Sequence, residues 1–175
     1  MPSAVERDAA RRREILEAAK TCFLRFGYGK TSLDDIAKTA KLSRPLLYRK
    51  FPNKGAIFAA LYDDVFETQL RCALDALATP GSKAEKLERS CQIVCVEPYE
   101  LINRAPMAQE FWQACEDLIP ETLERHRRKW RALLGKLLPK QLVEVFDLAL
   151  EGLYADVPTV AVFRQRIGIL VARFT

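Results

Sequence analysis

Residues 31–54, TSLDDIAKTAKLSRPLLYRKFPNK, decide the fold of this 175-residue chain. In the first half of the stretch, apolar residues between Leu33 and Ala40 recur at the spacing of one helical face. Thr31, with Asp34 three residues later, predicts a capping pair at the start of this helix. The stretch therefore begins with a short amphipathic helix.

A second short helix follows directly. Ser43 stands in the N-cap position, and Pro45 fits only in a first helical turn, where its missing N–H is not needed. The helix must then begin at Arg44, with Leu47 and Phe51 facing inward. Its exposed face is predicted to carry Arg44, Pro45, Leu46, Tyr48, Arg49 and Lys50. Two short helices joined by a tight turn form a helix-turn-helix.

Basic residues are concentrated around this motif. Residues 1–55 hold 13 Lys and Arg against six Asp and Glu, whereas residues 56–175 carry a net charge of −2. A basic surface on a helix-turn-helix is expected where a protein contacts the phosphates of nucleic acid. The charge pattern therefore favours DNA as a partner of the N-terminal segment.

The string from Ile15 to Lys54 contains IL-x-AA, F-x-x-x-G, TS-x-x-DIA, LS-x-x-x-LY and F-x-x-K in register. It resembles the DNA-binding domain of the tetracycline-repressor-like (TetR) family of transcription regulators. One departure is Lys41, because the family usually has glycine in the turn. Lys41 must therefore adopt a left-handed or nearly left-handed conformation, at a cost of about 1 kcal/mol.

The resemblance implies a homodimer that binds a palindromic double-stranded DNA operator, in this family more often as a repressor than as an activator. Arg44 and Lys50 are the expected base or groove contacts, and Thr31, Tyr48 and Lys54 are the expected phosphate contacts. The complete set of expected DNA-binding residues is Thr31, Ser32, Arg44, Pro45, Leu46, Tyr48, Arg49, Lys50 and Lys54. Residues 11–13, all arginine, are read equally well as a DNA-binding arm or as a solvated helix start.

The rest of the chain is predicted to be helical as well. Asn53 can cap a long helix from Lys54 to about Leu77, and Ser82 with Glu85 forms a capping box for the next helix. Strand-like alternation is absent, so we expect an all-α fold of about nine helices. The predicted domains are a helix-turn-helix DNA-binding domain at 1–55 and a ligand-binding and dimerisation domain at 56–175.

The last two helical segments, 140–154 and 159–174, carry apolar residues on more than one face. One chain of this size is not expected to bury all of these faces, which predicts a homodimer. The expected interface residues are Leu142, Phe146, Ala149, Leu153, Val160, Phe163, Ile167 and Leu170.

The resemblance also implies a small-molecule effector in a cavity between the central helices. The expected lining is aromatic, aliphatic or thiol in character, which favours a lipophilic or flat aromatic ligand. The expected ligand-binding residues are Phe66, Leu70, Cys91, Cys95, Tyr99, Phe111, Trp112, Trp130 and Phe146. Each of them alone is read more simply as a core residue. The alternative is a DNA-binding dimer whose larger domain recruits a protein partner and has no ligand.

Other features of the sequence favour ordinary structural roles. Cys91 and Cys95 are four residues apart on an apolar stripe, which indicates core packing rather than a metal or redox pair. The basic run 125–131, which contains the chain's one histidine, His126, is read as a solvated helix face. No catalytic motif is present, so we expect neither an enzyme nor a cofactor or metal. Without a signal peptide or a long apolar run, the chain is predicted to be cytoplasmic.

Overall fold

The computed structural model describes residues 3–175 of the chain. Its helices are α1 (Ala4–Phe26), α2 (Leu33–Thr39), α3 (Arg44–Lys50), α4 (Lys54–Leu77), α5 (Lys83–Cys91), α6 (Glu97–Asn103), α7 (Ala108–Leu118), α8 (Pro120–Leu134), α9 (Lys140–Gly152) and α10 (Val160–Phe174). A π-helical turn, Gln92–Val96, joins α5 to α6 without a break, which leaves nine separate helical segments. Residues 3–175 contain no strand, and the predicted all-α fold of about nine helices is confirmed.

The helices form two compact units. The first unit comprises the chain up to Val65 together with Ile102–Leu123, and the second comprises Phe66–Leu101 and Glu124–Thr175. The boundary predicted after residue 55 does not coincide with this division. The first unit is larger than the predicted domain 1–55, because the beginning of α4 and the whole of α7 contribute to the core around the helix-turn-helix.

Aromatic side chains connect the helices of the first unit. The ring of Phe58 on α4 lies 5.4 Å from that of Phe23 on α1, 5.3 Å from that of Tyr28 and 5.2 Å from that of Phe111 on α7. Tilted and edge-to-face pairs at such distances each contribute about 0.5–1.5 kcal/mol beyond the area they bury. This cluster fixes α7 to the helices that carry the DNA-binding motif.

Helix α2 begins with a different cap from the predicted one. The Oγ of Ser32 accepts from the N–H of Asp35 at 3.1 Å, and the Asp35 carboxylate accepts from the N–H of Ser32 at 2.8 Å. The predicted Thr31–Asp34 cap is wrong by one residue. The physical reason is that Thr31 is buried and its hydroxyl donates to the carbonyl oxygen of Gly27 at 2.7 Å.

Helix α3 follows the prediction closely. It begins at Arg44 with Pro45 in its first turn, and its inner residues Leu47 and Phe51 are buried. Lys41 in the preceding turn has φ of +54°, so the left-handed conformation expected from the missing glycine is present. The backbone of the turn therefore keeps its shape at the expense of strain in one residue.

The second unit is built around α9, α10 and the continuous segment of α5, the π-helical turn and α6. The ring of Tyr99 lies 4.8 Å from that of Phe163, and the ring of Phe146 lies 5.2 Å from that of Phe174. A buried carboxylate, that of Asp147, accepts from Nε of Arg131 at 2.6 Å. Charge pairing therefore compensates for the one acidic side chain that is buried in the described part of this unit.

Three residues of the predicted dimer interface prove to be core residues. Phe146 and Phe163 are fully buried, and Ile167 is 2% exposed, in the single chain. Their regular spacing marks the inner faces of α9 and α10. We therefore assign these three residues to the core and not to the dimer interface. The other predicted interface residues are half-buried: Leu142, Ala149, Leu153, Val160 and Leu170.

The outer faces of the same two helices carry different apolar residues. On α9, Val145 is 52% exposed and Leu148 is 54% exposed; on α10, Val162 is 38% exposed and Ile169 is 57% exposed. We call these four residues the outer apolar stripe. Their spacings of three and seven residues place them on one face of each helix.

Replacement of Lys41 by glycine should stabilise the fold. Glycine adopts positive φ without strain, and we expect the free energy of unfolding to rise by about 0.5–1 kcal/mol, because the relief of strain outweighs glycine's greater freedom in the unfolded chain. The measurement is chemical denaturation of Lys41→Gly beside Lys41→Ala, which keeps the Cβ. Equal stability of the two variants would show that the turn stores no strain at this position.

Candidate nucleic-acid interface

The outer face of α3 is exposed and basic. The side chain of Arg44 is 68% exposed, Tyr48 is 53% exposed, and Pro45 and Arg49 are exposed as well. The opposite face is fixed by the fully buried Leu47. A short helix held from behind with arginine, tyrosine and proline in front matches the recognition helix of a helix-turn-helix.

An intramolecular ion pair holds the first basic residue of this face. The guanidinium group of Arg44 pairs with the carboxylate of Asp34 on α2. Both side chains are well exposed, and such surface pairs contribute only about 0–1 kcal/mol. Arg44 can therefore exchange this partner for an acceptor on nucleic acid at little cost, while Asp34 orients it in the free protein.

Lys50 does not lie on the exposed face of α3, contrary to the prediction. Its side chain is only 18% exposed, and its ammonium group pairs with the carboxylate of Asp8 on α1. The reason is its position at the last residue of α3, where the helix meets α1 and the side chain turns toward that helix. We therefore correct its placement: Lys50 ties α3 to α1 in the free protein.

The basic start of α1 is part of a regular helix. Ser3 and Glu6 form a capping box, and α1 begins at Ala4, well before the arginines at positions 11–13. Arg11 pairs with Glu14 at 2.8 Å, and the guanidinium group of Arg12 lies 5.2 Å from the centre of the Phe51 ring. These side chains are attached to a helix, not to an extended arm.

The residues at the beginning of α2 and α4 have structural roles. Thr31 is 2% exposed, whereas Ser32 is exposed and caps α2. The ammonium group of Lys54 donates to the carbonyl oxygen of Tyr28 at 2.6 Å and to that of Thr31 at 2.8 Å. It also lies 4.2 Å from the centre of the Tyr28 ring.

The electrostatics of Lys54 follow from this position. Partial burial disfavours the charged form and lowers the pKa of Lys54, and the nearby carboxylate of Glu110 offsets part of the effect. The carbonyl groups nevertheless accept from its N–H groups, which favours an ammonium ion at neutral pH. Lys54 thus closes the loop between α1 and α2 onto the start of α4.

Comparison with known proteins supports the reading of this surface. The model of the family "Bacterial regulatory proteins, tetR family" matches residues 15–61. An HTH-type transcriptional repressor of Mycobacterium tuberculosis is 28% identical over 158 residues, which cover 84% of this chain and 82% of the relative. The HTH-type transcriptional regulator TtgR of Pseudomonas putida is 40% identical over 57 residues, 33% of this chain and 27% of that protein.

Solved structures share the whole fold. A TetR-like transcriptional regulator from Rhodococcus sp. RHA1 has a TM-score of 0.69 at 24% identity, with 99% of this chain and 97% of that chain covered. Over residues 15–61 the chain matches the tetR family of bacterial regulatory proteins. It is accordingly a transcriptional regulator with a helix-turn-helix DNA-binding segment. A regulator from Aquifex aeolicus VF5 shows the same fold, with a TM-score of 0.66 at 18% identity and 94% and 99% of the two chains covered.

The predicted ligand-binding residues are divided between the two units. Phe111 and Trp112 belong to the first unit, where Phe111 is buried in the aromatic cluster and the indole N–H of Trp112 donates to the side chain of Asn103 at 3.0 Å. The other seven lie in the second unit.

In the second unit, most of the predicted ligand-binding residues are packed. Leu70, Cys91, Tyr99, Trp130 and Phe146 are each at most 8% exposed. The hydroxyl of Tyr99 donates to the carbonyl oxygen of Pro158 at 2.7 Å. Only Phe66 and Cys95 are half-buried, and the Phe66 ring is stacked on that of His126 at 4.1 Å.

The thiols among these residues are poorly suited to chemistry at neutral pH. Burial raises the pKa of the Cys91 thiol well above its usual value and that of the Cys95 thiol to about 12. A thiolate is the form that binds metals and reacts with oxidants. The interpretation of this pair as core packing is consistent with these shifts.

Two open clefts lie elsewhere on the described surface. One open cleft of about 500 Å³ is lined by residues of α8 and α9 and the turn after α8: Arg131, Gly135, Lys140, Val143 and Glu144. Another, of about 390 Å³, belongs to the first unit and is lined by Arg25, Phe26, Lys30, Asp35 and Met107. Neither includes a residue that was predicted to bind a ligand.

The basic run 125–131 is largely neutralised by acidic partners. Arg127 pairs with Glu151, Lys129 with Glu67, and Arg131 with the buried Asp147. Charges engaged in this way attract an external anion only weakly. Within residues 3–175, moreover, no group of three His, Cys, Asp or Glu side chains is placed to hold a metal, and no helix is long and apolar enough to span a membrane.

Sequence reasoning missed the acidic partners of the basic surface. Asp8 and Asp34 pair with basic residues of α3, and Glu110 accepts from the N–H of Gly29 in the loop before α2. A contact across 81 residues of chain, as for Glu110, leaves no local signal in a single sequence.

Replacement of Lys54 by methionine should destabilise the first unit. The carbonyl groups of Tyr28 and Thr31 would lose a charged donor, and such bonds contribute about 1.5–3 kcal/mol. We expect the free energy of unfolding to fall by about 2 kcal/mol, measured by denaturation in urea. Lys30→Met, on the exposed part of the same loop, is the control and should stay within about 0.5 kcal/mol of the wild type. Unchanged stability of Lys54→Met would leave phosphate binding as the main role of Lys54.

Proposed function

We propose that this chain is a homodimeric transcriptional regulator that binds a palindromic operator and is released from it by a small lipophilic or aromatic molecule. Its DNA-binding residues would come from α2, α3 and their approaches, and its dimer contacts from α9 and α10. Repression is the favoured sign of regulation. The exposed, basic outer face of α3 is the observation that carries the DNA-binding part of this proposal.

The proposal divides the predicted DNA-binding residues by exposure. Arg44, Tyr48 and Arg49 would contact DNA directly, with Pro45 and the half-buried Leu46 against the groove and Ser32 near the phosphates. Thr31, Lys50 and Lys54 would support this surface from within in the free protein. Base reading falls to Arg44, since a guanidinium group can bind O6 and N7 of guanine together.

Arg44→Ala and Arg49→Ala should weaken DNA binding in different ways. Loss of a bidentate base contact costs about 1–3 kcal/mol at one position of the site, so Arg44→Ala should flatten base preference there. Arg49→Ala should weaken binding to all duplexes alike and reduce the salt slope by about one. The measurement is binding to single-substitution duplexes of a selected operator at several salt concentrations. Reduced affinity of Arg44→Ala with unchanged base preference would refute its role.

The outer apolar stripe supports the dimer. Val145, Leu148, Val162 and Ile169 present apolar side chains on the two last helices, and such a patch is typical of an interface between subunits. Two copies of the stripe related by a two-fold axis would bury each other. A two-fold dimer would then read two half-sites, which is why the operator is expected to be palindromic.

Ile169→Glu and Leu148→Glu should separate the dimer without unfolding the chain. A carboxylate placed in an apolar interface loses its hydration without gaining a partner, and we expect at least a tenfold weaker dimer. Sedimentation equilibrium measures whether each variant is a dimer or a monomer, and the melting temperature shows whether it is still folded. Leu118→Glu, at an exposed leucine of α7, is the control that should leave the dimer intact. A monomeric wild-type chain at micromolar concentration would contradict the proposal.

The close packing of most of the predicted ligand-binding residues favours a second candidate function. In this candidate the chain is a DNA-binding dimer whose larger unit recruits a protein partner and has no small-molecule effector. The buried side chains of Cys91, Tyr99, Trp130 and Phe146 support it, because a filled core leaves less room for a ligand. Family resemblance supports the effector instead.

The affinity of a ligand with and without operator separates the two candidates. A library of lipophilic and aromatic compounds is first screened for a rise in melting temperature, since a ligand of the native state stabilises it. An effector that releases DNA must bind the operator complex more weakly, by the same factor by which it weakens DNA binding. Equal affinities in both states, or no compound that raises the melting temperature, would favour the candidate without an effector.

A further inference from the structure

Two charged side chains approach the loop between α1 and α2, residues 27–32, which leads into the DNA-binding motif. Lys54 donates to its carbonyl oxygens, as described above. The second side chain is Glu110 of α7, whose Oε1 accepts from the N–H of Gly29 at 2.6 Å. The loop is thus held by a cation on its carbonyl groups and by an anion on an amide group.

The loop is shaped to admit the carboxylate of Glu110. Gly27 has φ of +84°, and a Cβ at this position would collide with the Glu110 carboxyl group. A Cβ at Gly29 would lie 3.2 Å from Oε1, which is tighter than ordinary contact. Side chains at these two positions would push Glu110 away, so the two glycines and the glutamate fit one another.

Helix α7 is firmly placed for this contact. Phe111, the residue after Glu110, is 6% exposed and packs on Phe58. The N–H of Met107 donates to the carbonyl oxygen of Leu24, near the end of α1, at 3.3 Å. Glu110 therefore reaches the loop from a helix that is itself anchored to α1 and α4.

The loop controls the first helix of the motif through short connections. Thr31 binds the carbonyl of Gly27, and Ser32 caps α2 directly after it. Since α2 carries Asp34, which orients Arg44 on α3, a displaced loop would shift the surface that binds DNA. A loop that is already ordered in the free protein loses less conformational entropy when DNA binds.

We propose that Glu110 is a positioning residue for DNA binding: from outside the DNA-binding segment, it fixes the α1–α2 loop through the N–H of Gly29 and thereby orients α2 and α3. This inference rests on the DNA-binding role of the chain, as proposed above. Glu110 acts through the loop and needs no contact with the nucleic acid.

The sign of the effect distinguishes positioning from simple electrostatics. Removal of a negative charge from a protein that binds phosphates should by itself strengthen binding to every duplex. If Glu110 positions the loop, its removal should weaken binding instead. The slope of affinity against salt should stay the same, because no phosphate contact is lost.

The experiment compares Glu110→Ala and Glu110→Gln with Glu116→Ala, which removes an exposed carboxylate from the same helix. Hydrogen exchange of the Gly29 amide is measured by NMR in the full chain. Binding is measured to a duplex that the wild type selects from a random library. We expect Glu110→Ala to lose at least tenfold in Gly29 protection and about tenfold in affinity. Glu110→Gln, whose amide oxygen can still accept, should recover most of both.

The outcomes separate this role from the proposed function. If Glu110→Ala binds the duplex as tightly as Glu116→Ala does, Glu110 is a packing residue and the inference is overturned. If Glu110→Ala does not fold, a tenfold loss of affinity in Glu110→Gln without loss of Gly29 protection would overturn it as well. If the wild type selects no duplex, DNA binding itself fails, and with it this role, even where Gly29 protection responds to the variants.

Discussion

The ammonium group of Lys54, held by the carbonyl oxygens of Tyr28 and Thr31, is the interaction on which the DNA-binding surface depends. It joins the start of α4 to the loop that precedes α2. Within the same loop, the hydroxyl of Thr31 donates to the carbonyl oxygen of Gly27, directly after α1. These polar bonds lie beside the aromatic contact between Tyr28 and Phe58. Apolar packing brings the helices together here, and the directional bonds of one lysine determine the path of the chain between them.

The chain contains two basic surfaces that differ in how their charges are used. On α3, Arg49 is exposed and Arg44 is engaged only by the exposed Asp34. In the run 125–131, several cations pair with acidic side chains, among them the buried Asp147. A cation that is already paired must lose its partner before it binds a phosphate, and a buried partner makes this loss expensive. Both stretches are basic in sequence, but they differ in how many of their charges are available to an external anion.

Local features of the sequence predicted the fold well, and contacts between distant residues explain where prediction failed. The start of α3 at Arg44 and the left-handed Lys41 follow from steric rules within a few residues, and both were found. Periodicity located α9 and α10 but selected Phe163 as an outer residue, because a repeat shows which residues share a face and not which face is covered. The Lys50–Asp8 pair joins residues on different helices, and no local pattern indicates it.

We expect DNA to bind to the outer face of α3 and not to the more strongly basic run on α8. The most direct test is an NMR titration of the isotopically labelled chain with a short random-sequence duplex at about 50 mM salt, where non-specific contacts are strong. We expect amide shifts to change mainly at residues 43–49 and at Ser32, while residues 125–131 stay unchanged. Changes concentrated in residues 125–131, with α3 unaffected, would contradict it.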